Sequence, residues 1–154
     1  MFCSLCLSLL LQLTNGDVKI DDKISFSFPS ESTPQESGGN QLWQYSTPEN
    51  AVFLVMTVDF AKLGLDTATI NQEIALPEFF DQYREGIKGK LPEGKLIYET
   101  NSTFKGHPVT EYKFSMNPSN TLITYYSKKY FIGTKVYSLS YIIAGDKTKS
   151  ADCE

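Results

Sequence analysis

The sequence predicts an α+β protein built on an antiparallel β-sheet of six to seven strands flanked by helices. Three observations support this prediction: segments in which apolar and polar residues alternate, one continuous apolar run, and one segment with helical spacing. The composition, with 41% hydrophobic and 21% charged residues, is typical of globular proteins and excludes disordered, collagenous and coiled-coil chains. We expect residues 17–154 to form a single domain.

The first predicted strands lie on either side of a polar loop. Residues 24–28 alternate apolar and polar side chains, which predicts a half-buried strand ending at Pro29. Residues 30–40 contain no apolar side chain apart from proline, so we expect a mobile surface loop. Residues 42–46 then predict a short strand that contains Trp43, the only tryptophan.

A longer strand and a helix follow. Residues 51–60 are apolar with little alternation, which predicts an interior strand covered on both faces. After a mixed stretch at 61–75, Pro77 is well placed as the first helical residue. The apolar stripe of this helix is formed by Leu76, Phe80, Tyr83, Ile87 and Leu91. The polar side of the helix is formed by Glu78, Asp81, Gln82 and Glu85. We expect these side chains to be solvated and not catalytic.

Four strands in succession complete the prediction: 95–104, 109–116, 121–131 and 135–143. The turn signals between them, at 106–108, 117–120 and 132–134, favour antiparallel hairpins. Two apolar stripes are expected to pack on the helix, and on a second helix beginning near Lys149. The stripes are Thr110, Tyr112, Phe114 and Met116, and Tyr137, Leu139, Tyr141 and Ile143.

The N-terminal residues 1–16 differ from the rest. Nine of the twelve residues from Phe2 to Leu13 are apolar, a length typical of a signal peptide and too short for a membrane span. The alternative is a buried N-terminal strand or helix. If residues 1–16 are a signal peptide, we expect the protein to be exported to the periplasm, the cell envelope or the medium. Cys3 and Cys6 would leave with the signal, and Cys153 alone would remain, so no intramolecular disulfide is expected.

The charge restricts the class of partner. The chain has 18 acidic and 14 basic side chains, a net charge of −4, which argues against nucleic-acid binding. We expect a protein partner or a cell-envelope component, and no membrane span after signal removal.

The order of elements resembles a known family. The resemblance is carried by Phe28-Pro29, Phe79-Phe80, the Gly106-His107-Pro108 turn with Glu111, and the segment 135–141. Together they are similar to the PsbP-like superfamily, which includes the extrinsic photosystem II subunit, DcrB-like bacterial lipoproteins and an import factor that binds the small GTPase Ran.

The resemblance covers roughly residues 18–154 and implies an antiparallel sheet between helices, the α/β/α sandwich of an exported PsbP/DcrB-like domain. The family roles that it implies are mainly binding and assembly. Family members usually end in a helix that packs on the sheet, whereas residues 150–154 stand where that helix would begin. We therefore expect a domain that lacks this C-terminal helix.

Few residues could support catalysis. His107 is the only histidine and lies in a Gly-His-Pro segment, so a surface turn residue is a simpler interpretation than a ligand or a pH sensor. No phosphate-binding loop or dinucleotide fingerprint is present. Asp59, Asp66 and Glu73 could contribute to a calcium site, but they lack EF-hand spacing. We expect no catalytic residue, metal or cofactor.

Four residues are candidate ligand contacts. Tyr126 and Tyr130 belong to an aromatic cluster interleaved with Lys128 and Lys129, although strand geometry places about half of such rings in the core. Trp43 follows the polar loop and could contact a ligand or fill the core. His107 is the fourth candidate.

The sequence therefore predicts a noncatalytic exported binding or assembly module. One alternative is a hydrolase that uses scattered carboxylates, and another is an accessory subunit of a membrane-associated complex.

Overall fold

The computed structural model describes residues 16–28, 32–38, 40–91 and 94–145. The chain divides into two compact units, Met1–Ser32 and Thr33–Glu154. Several sequence predictions fall outside the described residues: the apolar segment at 1–15, the strand end at Pro29, the cysteines Cys3, Cys6 and Cys153, and the helix near Lys149.

The described part of the first unit is a β-hairpin. β1 (Gly16–Lys19) pairs antiparallel with β2 (Ser25–Phe28). The Asp21 carboxylate stabilises the connection by accepting hydrogen bonds from the N–H groups of Lys23 and Ile24, at 2.9 and 3.1 Å. The alternation in the sequence correctly predicted β2. β1 was not predicted, because Val18 is its only apolar residue and shows no alternation.

A seven-stranded antiparallel sheet forms the second unit. Its strands are β3 (Gln35–Ser37), β4 (Asn40–Ser46), β5 (Ala51–Asp59), β6 (Lys95–Phe104), β7 (His107–Met116), β8 (Ile123–Ile132) and β9 (Lys135–Ala144). They lie side by side in the order β3-β4-β5-β9-β8-β7-β6, and each neighbouring pair is antiparallel. The predicted antiparallel sheet of six to seven strands is confirmed.

The strand β3 corrects the prediction of a loop at 30–40. Its three residues pair with β4, Gln35 opposite Leu42 and Glu36 opposite Gln41. Both Gln35 and Glu36 are exposed. Main-chain hydrogen bonds to β4 hold this short edge strand, so it needs no apolar side chain of its own.

The strand β5 is interior, as predicted, since β4 and β9 pair with its two sides. Its fully buried residues lie on one face only, however. Ala51 and Val55 are buried, whereas Leu54 and Met56 on the other face are half-buried. That face of β5 is therefore less deeply covered than the continuous apolar run predicted.

The hairpin between β6 and β7 turns at Lys105-Gly106. These residues have φ angles of 49° and 79°, and two successive positive φ angles are typical of a tight type I′ hairpin turn. The prediction had placed the turn one residue later and His107 within it. Instead, His107 is the first residue of β7, half-buried and opposite Phe104.

The first helix, α1 (Thr67–Ile74), was not predicted. Asp66 caps its N-terminus, because the carboxylate accepts a hydrogen bond from the Thr69 N–H at 2.8 Å. This bond lowers the pKa of Asp66. Only Ile70 and Ile74 mark the buried side of α1, too few for the helical period to be recognised.

The second helix, α2 (Phe79–Lys88), begins two residues after the predicted Pro77. Its polar side is exposed, as expected, at Glu78, Asp81, Gln82 and Glu85. Its apolar side is only half-buried, and no residue of α2 is fully buried.

Both helices pack on one face of the sheet, which we call the helix face and which carries Phe131 and Val136. Ile70 and Ile74 of α1 are buried in a cluster with these two side chains. Three aromatic rings of α2 contact the Phe131 ring, with centroid distances between 5.6 and 5.8 Å. They belong to Phe79, Phe80 and Tyr83. Aromatic contacts in edge-to-face geometry therefore hold α2 on the sheet.

The opposite face, the far face, carries buried Trp43, Val55 and Tyr137. The register assigns the two predicted stripes to different faces. Tyr112 of β7 pairs with Ser127 of β8, which pairs with Ser140 of β9, so Tyr112 shares the helix face with the even-numbered residues of β9. The predicted stripe in β9 is odd-numbered and therefore lies on the far face. Only the stripe in β7 therefore shares a face with α2, and the second helix expected near Lys149 lies outside the described residues.

Candidate functional site

The strand β6 is one of the two edges of the seven-stranded sheet. Among the described residues it pairs with β7 alone, and its outer side has no partner strand. Three large apolar side chains are exposed along it: Ile97 at 47%, Tyr98 at 42% and Phe104 at 49%. An exposed strand edge with apolar side chains is an unusual feature, because proteins commonly cover or charge such edges.

A β-bulge divides β6 into two parts. The register with β7 shifts between Leu96 and Tyr98, which leaves Ile97 as the extra residue. From Tyr98 to Phe104 the pairing is regular, so alternate residues lie on the same face. The far-face residues are Tyr98, Thr100, Ser102 and Phe104.

Aromatic and lysine side chains meet beside this edge on the far face. We call Tyr98, Phe104, Lys105, Lys113 and Tyr130 the aromatic–lysine rim. The Phe104 and Tyr130 rings meet edge to face with centroids 5.7 Å apart, and the Lys105 Nζ lies 5.4 Å from the Phe104 centroid. Lys113 is opposite Tyr98 in the register. The rim therefore combines apolar ring surface with positive charge.

The lysines of this region differ in how their charge is balanced. Lys128 forms a salt bridge of 2.5 Å with Glu111, and this hydrogen bond raises the pKa of Lys128. In contrast, Lys95, Lys105 and Lys113 take part in no salt bridge within the described ranges. Lys113 instead lies 4.9 Å from the centroid of the Tyr126 ring. These three lysines remain available to an anionic partner.

The whole meander from β6 to β9 is basic. Residues 95–144 contain six lysines and two glutamates, although the complete chain has a net charge of −4. Their charge of +4 is therefore offset by acidic residues elsewhere in the sequence. Such an asymmetry favours association with an acidic surface.

An ion pair joins α2 to the helix-face side of the same strand. The Arg84 guanidinium donates to the Glu99 carboxylate at 2.6 Å, with 23% and 13% of the two side chains exposed. Arg84 also contacts Asp81 at 2.8 Å. The hydrogen bond to Glu99 is the main reason that the pKa of Arg84 is raised. This pair fixes α2 and β6 to each other.

A buried lysine lies on the helix face of β8. The Lys129 Nζ donates to the Ser138 Oγ at 3.0 Å and lies 5.6 Å from the centroid of the Tyr83 ring. Burial, with a smaller effect of Lys90, lowers the pKa of Lys129 to about 8. A lysine of low pKa beside a serine occurs in some hydrolases, but here the two residues are only 6% and 3% exposed. They have no access to a substrate in this arrangement.

Other polar side chains lie on the helix face together with Lys129. Tyr125 and Ser127 both hydrogen bond to Ser140, at 3.0 and 3.2 Å. The hydroxyls of Thr110 and Tyr112 are buried on the same face, and the Thr110 hydroxyl partly opposes the effect of burial on the Tyr112 phenol. Burial raises the pKa of Tyr112. The helix face is thus more polar than the apolar stripe in β7 indicated, and sequence reasoning missed this. Strand alternation could have shown it, since either Lys128 or Lys129 had to point toward the helices.

A cleft of about 380 Å³ lies between α1 and the β6–β7 hairpin. It is lined by Asn71, Ile74, Ala75, Phe80, Asn101, Ser102, Thr103 and Pro108. None of these side chains is charged, so the cleft offers no strong anchor for an ionic ligand.

The four predicted contact residues occupy different places. Tyr130 belongs to the rim, and His107 lies opposite Phe104 at the same corner. Tyr126 is half-buried one step further into the sheet, 6.0 Å from the Tyr141 ring. Trp43 lies in β4, on the other side of β5 and β9, and is 3% exposed. The structure therefore brings Tyr130 and His107 together and leaves Trp43 apart; their role as ligand contacts stays a prediction.

The acidic residues considered for calcium have local roles. Asp59 accepts hydrogen bonds from the Ala61 N–H at 3.0 Å and the Thr134 hydroxyl at 2.9 Å, while Asp66 caps α1. In the parts of the chain that the structure describes, no group of three or more metal-ligating side chains is found. Within the same parts, no helix has the length and apolar character needed to cross a membrane.

Comparisons with known proteins do not identify a function for this chain. No protein-family model matches the chain, and no curated protein matches it. Among solved structures, the chain is similar to a crystal structure of PA94 from Pseudomonas aeruginosa, a protein of unknown function. The identity is 11%, the TM-score is 0.45, and the match covers 82% of this chain and 81% of that chain. A likeness of this size does not bear on the function of the rim.

Proposed function

We propose that the protein is a noncatalytic binding module that holds an acidic protein partner at the aromatic–lysine rim. The observation that carries this proposal is the position of Lys105 beside the exposed ring of Phe104 and of Lys113 opposite Tyr98. Aromatic side chains supply contact area, and lysines without a salt bridge supply attraction to carboxylates.

Binding is favoured over the carboxylate hydrolase that the sequence left open. Glu99 and Glu111, the two glutamates of the meander, are engaged by Arg84 and Lys128. Carboxylates in ion pairs of this kind stabilise structure and are poorly placed to exchange protons with a substrate. The exported location and the PsbP-like α/β/α arrangement stay predictions from the sequence, and the rim proposal needs neither.

A charge-reversal experiment tests the proposal. The probe is a fluorescein-labelled peptide of about nine residues, a usual strand length, with alternating Glu and Val. Its affinity is measured by fluorescence anisotropy against the full chain and the Lys105→Glu/Lys113→Glu variant. We expect the double reversal to weaken binding by about tenfold, since each rim charge contributes modestly to affinity.

Two controls define the result. Lys62→Glu changes a lysine in the short helical turn after β5, which lies four strands away from β6, about 19 Å at the usual strand spacing. This change should alter affinity less than about twofold, because charges separated by more than a Debye length are screened. A peptide in which Lys replaces Glu should bind at least about tenfold more weakly, because like charges repel. Equal binding of both peptides, or an unchanged affinity in the double variant, would refute the proposal.

A further inference from the structure

We infer that the acidic partner binds as an extended strand that continues the sheet along Tyr98–Phe104 of β6. This inference rests on the function proposed above and adds the conformation of the partner and the main-chain groups that recognise it. Strand addition to an exposed edge is a common mode of peptide recognition.

The main chain of β6 has the geometry that strand addition requires. In an antiparallel sheet, each residue directs its N–H and C=O to one side, so about half of the residues of an edge strand direct them outward. Eight of the ten residues of β6 are exposed, and the other two are half-buried. The outward groups between Tyr98 and Phe104 are therefore accessible to a partner.

The edge is also held in place before a partner arrives. β7 pairs with β6 from Lys95 to Phe104, the Lys105-Gly106 turn closes the hairpin, and Arg84 contacts Glu99 from the helix side. A preorganised edge loses little conformational entropy on binding, so more of the interaction free energy becomes affinity.

The protective features of β6 lie at its ends. Bulges, prolines and lysines are features by which proteins prevent the pairing of edge strands. β6 begins with Lys95, has a bulge at Ile97 and is followed by Lys105. Between them, Tyr98–Phe104 contains no proline, no lysine and no register shift. Seven residues span about 23 Å, enough for a typical strand.

Charge identifies the occupant. A second copy of this chain would pair antiparallel and bring Lys95 of one strand close to Lys105 of the other, so like charges would oppose self-pairing. A strand with acidic residues on the far-face side would instead place carboxylates near Lys105 and Lys113. An acidic extended segment of a protein partner therefore fits the edge better than a second copy.

Selective N-methylation of the peptide tests the inference. Two analogues of the Glu/Val peptide carry N-methyl groups at alternate residues, one at the odd positions and the other at the even positions. If the peptide pairs with β6, only one set of its N–H groups faces the edge. One analogue should then lose at least about tenfold in affinity, and the other should stay within about threefold of the parent.

The outcomes separate the two proposals. If both analogues bind as the parent does, or if both weaken equally, strand addition is overturned, while charge-dependent binding of the parent still supports the proposed function. If the parent peptide shows no charge-dependent binding, the proposed function itself fails. Sedimentation of the free chain is a further check, because dimers that disappear in the Tyr98→Lys variant would make a second copy the occupant.

Discussion

The two edges of the seven-stranded sheet differ in length, in side chains and in charge. β3 has three residues, all polar, whereas β6 has ten and exposes Ile97, Tyr98 and Phe104. β6 is also followed by Lys105 and backed by Lys113, while β3 contains Glu36. An edge is therefore a candidate binding site where accessible main chain, apolar surface and unbalanced charge coincide.

The strands behind the two edges differ as well. β7, behind β6, contains Tyr112 and Phe114, both 0% exposed. On the same face of β4, behind β3, Leu42 is half-buried. On the helix face, the β6 edge is therefore backed by more deeply buried side chains than the β3 edge.

The largest expected effect is a loss of stability when a buried ring behind β6 is removed. Phe114→Ala should lower the free energy of unfolding by about 3–5 kcal/mol, because it removes a fully buried ring and leaves a cavity. The matched variant behind the other edge, Leu42→Ala, should cost only about 1–2 kcal/mol, since part of its surface already contacts water. Urea denaturation measures both. Equal losses would show that the two edges are supported alike.

A smaller effect is expected at the buried lysine of the meander. The pKa of Lys129 is lowered from 10.5 to about 8, so above about pH 8 the unfolded chain binds more protons than the folded chain. The free energy of unfolding should therefore rise with pH between about 8 and 10, and this contribution is constant below about pH 8. Lys129→Met should remove the rise.

At pH 7 the same substitution should stabilise the protein by about 1–3 kcal/mol, because removal of a buried charge outweighs the loss of the bond to Ser138 and of the contact with the Tyr83 ring. The control is Lys128→Met, which removes the neighbouring lysine on the far face. Because the Lys128 side chain is 43% exposed, its loss should cost about 0–1 kcal/mol and leave the pH profile unchanged. A Lys129→Met variant that is less stable at pH 7 and keeps the rise would contradict this account.

Local patterns in the sequence were sufficient for most strands. β4 and β5 were predicted with nearly correct bounds, and so were the four strands of the meander, because each has five or more residues with a clear apolar pattern. β3 was missed because its stability comes from hydrogen bonds to β4, which side-chain patterns do not report. α1 was missed because it carries only two buried residues, although Asp66 is a recognisable N-cap.

The candidate site depends on features that the sequence does not specify alone. Tyr130 and His107 were noted from the sequence, but their proximity to Phe104 depends on the pairing of β6 with β7 across the turn at Lys105-Gly106. That β6 is an edge depends on the strand order of the whole sheet, in which β9 returns to pair with β5. The position of the candidate site therefore depends on contacts between residues far apart in sequence, which local patterns do not report.

The most direct test of strand addition at β6 is amide hydrogen exchange of both edges, measured by mass spectrometry with and without the Glu/Val peptide. We expect outward amides within Tyr98–Phe104 to exchange at least about tenfold more slowly at saturating peptide, because they become hydrogen bonded. The amides of Gln35–Ser37 in β3 should exchange at the same rate in both conditions. Saturation of the protein with no slowing in β6, or with equal slowing in β3, would contradict the assignment of the binding edge.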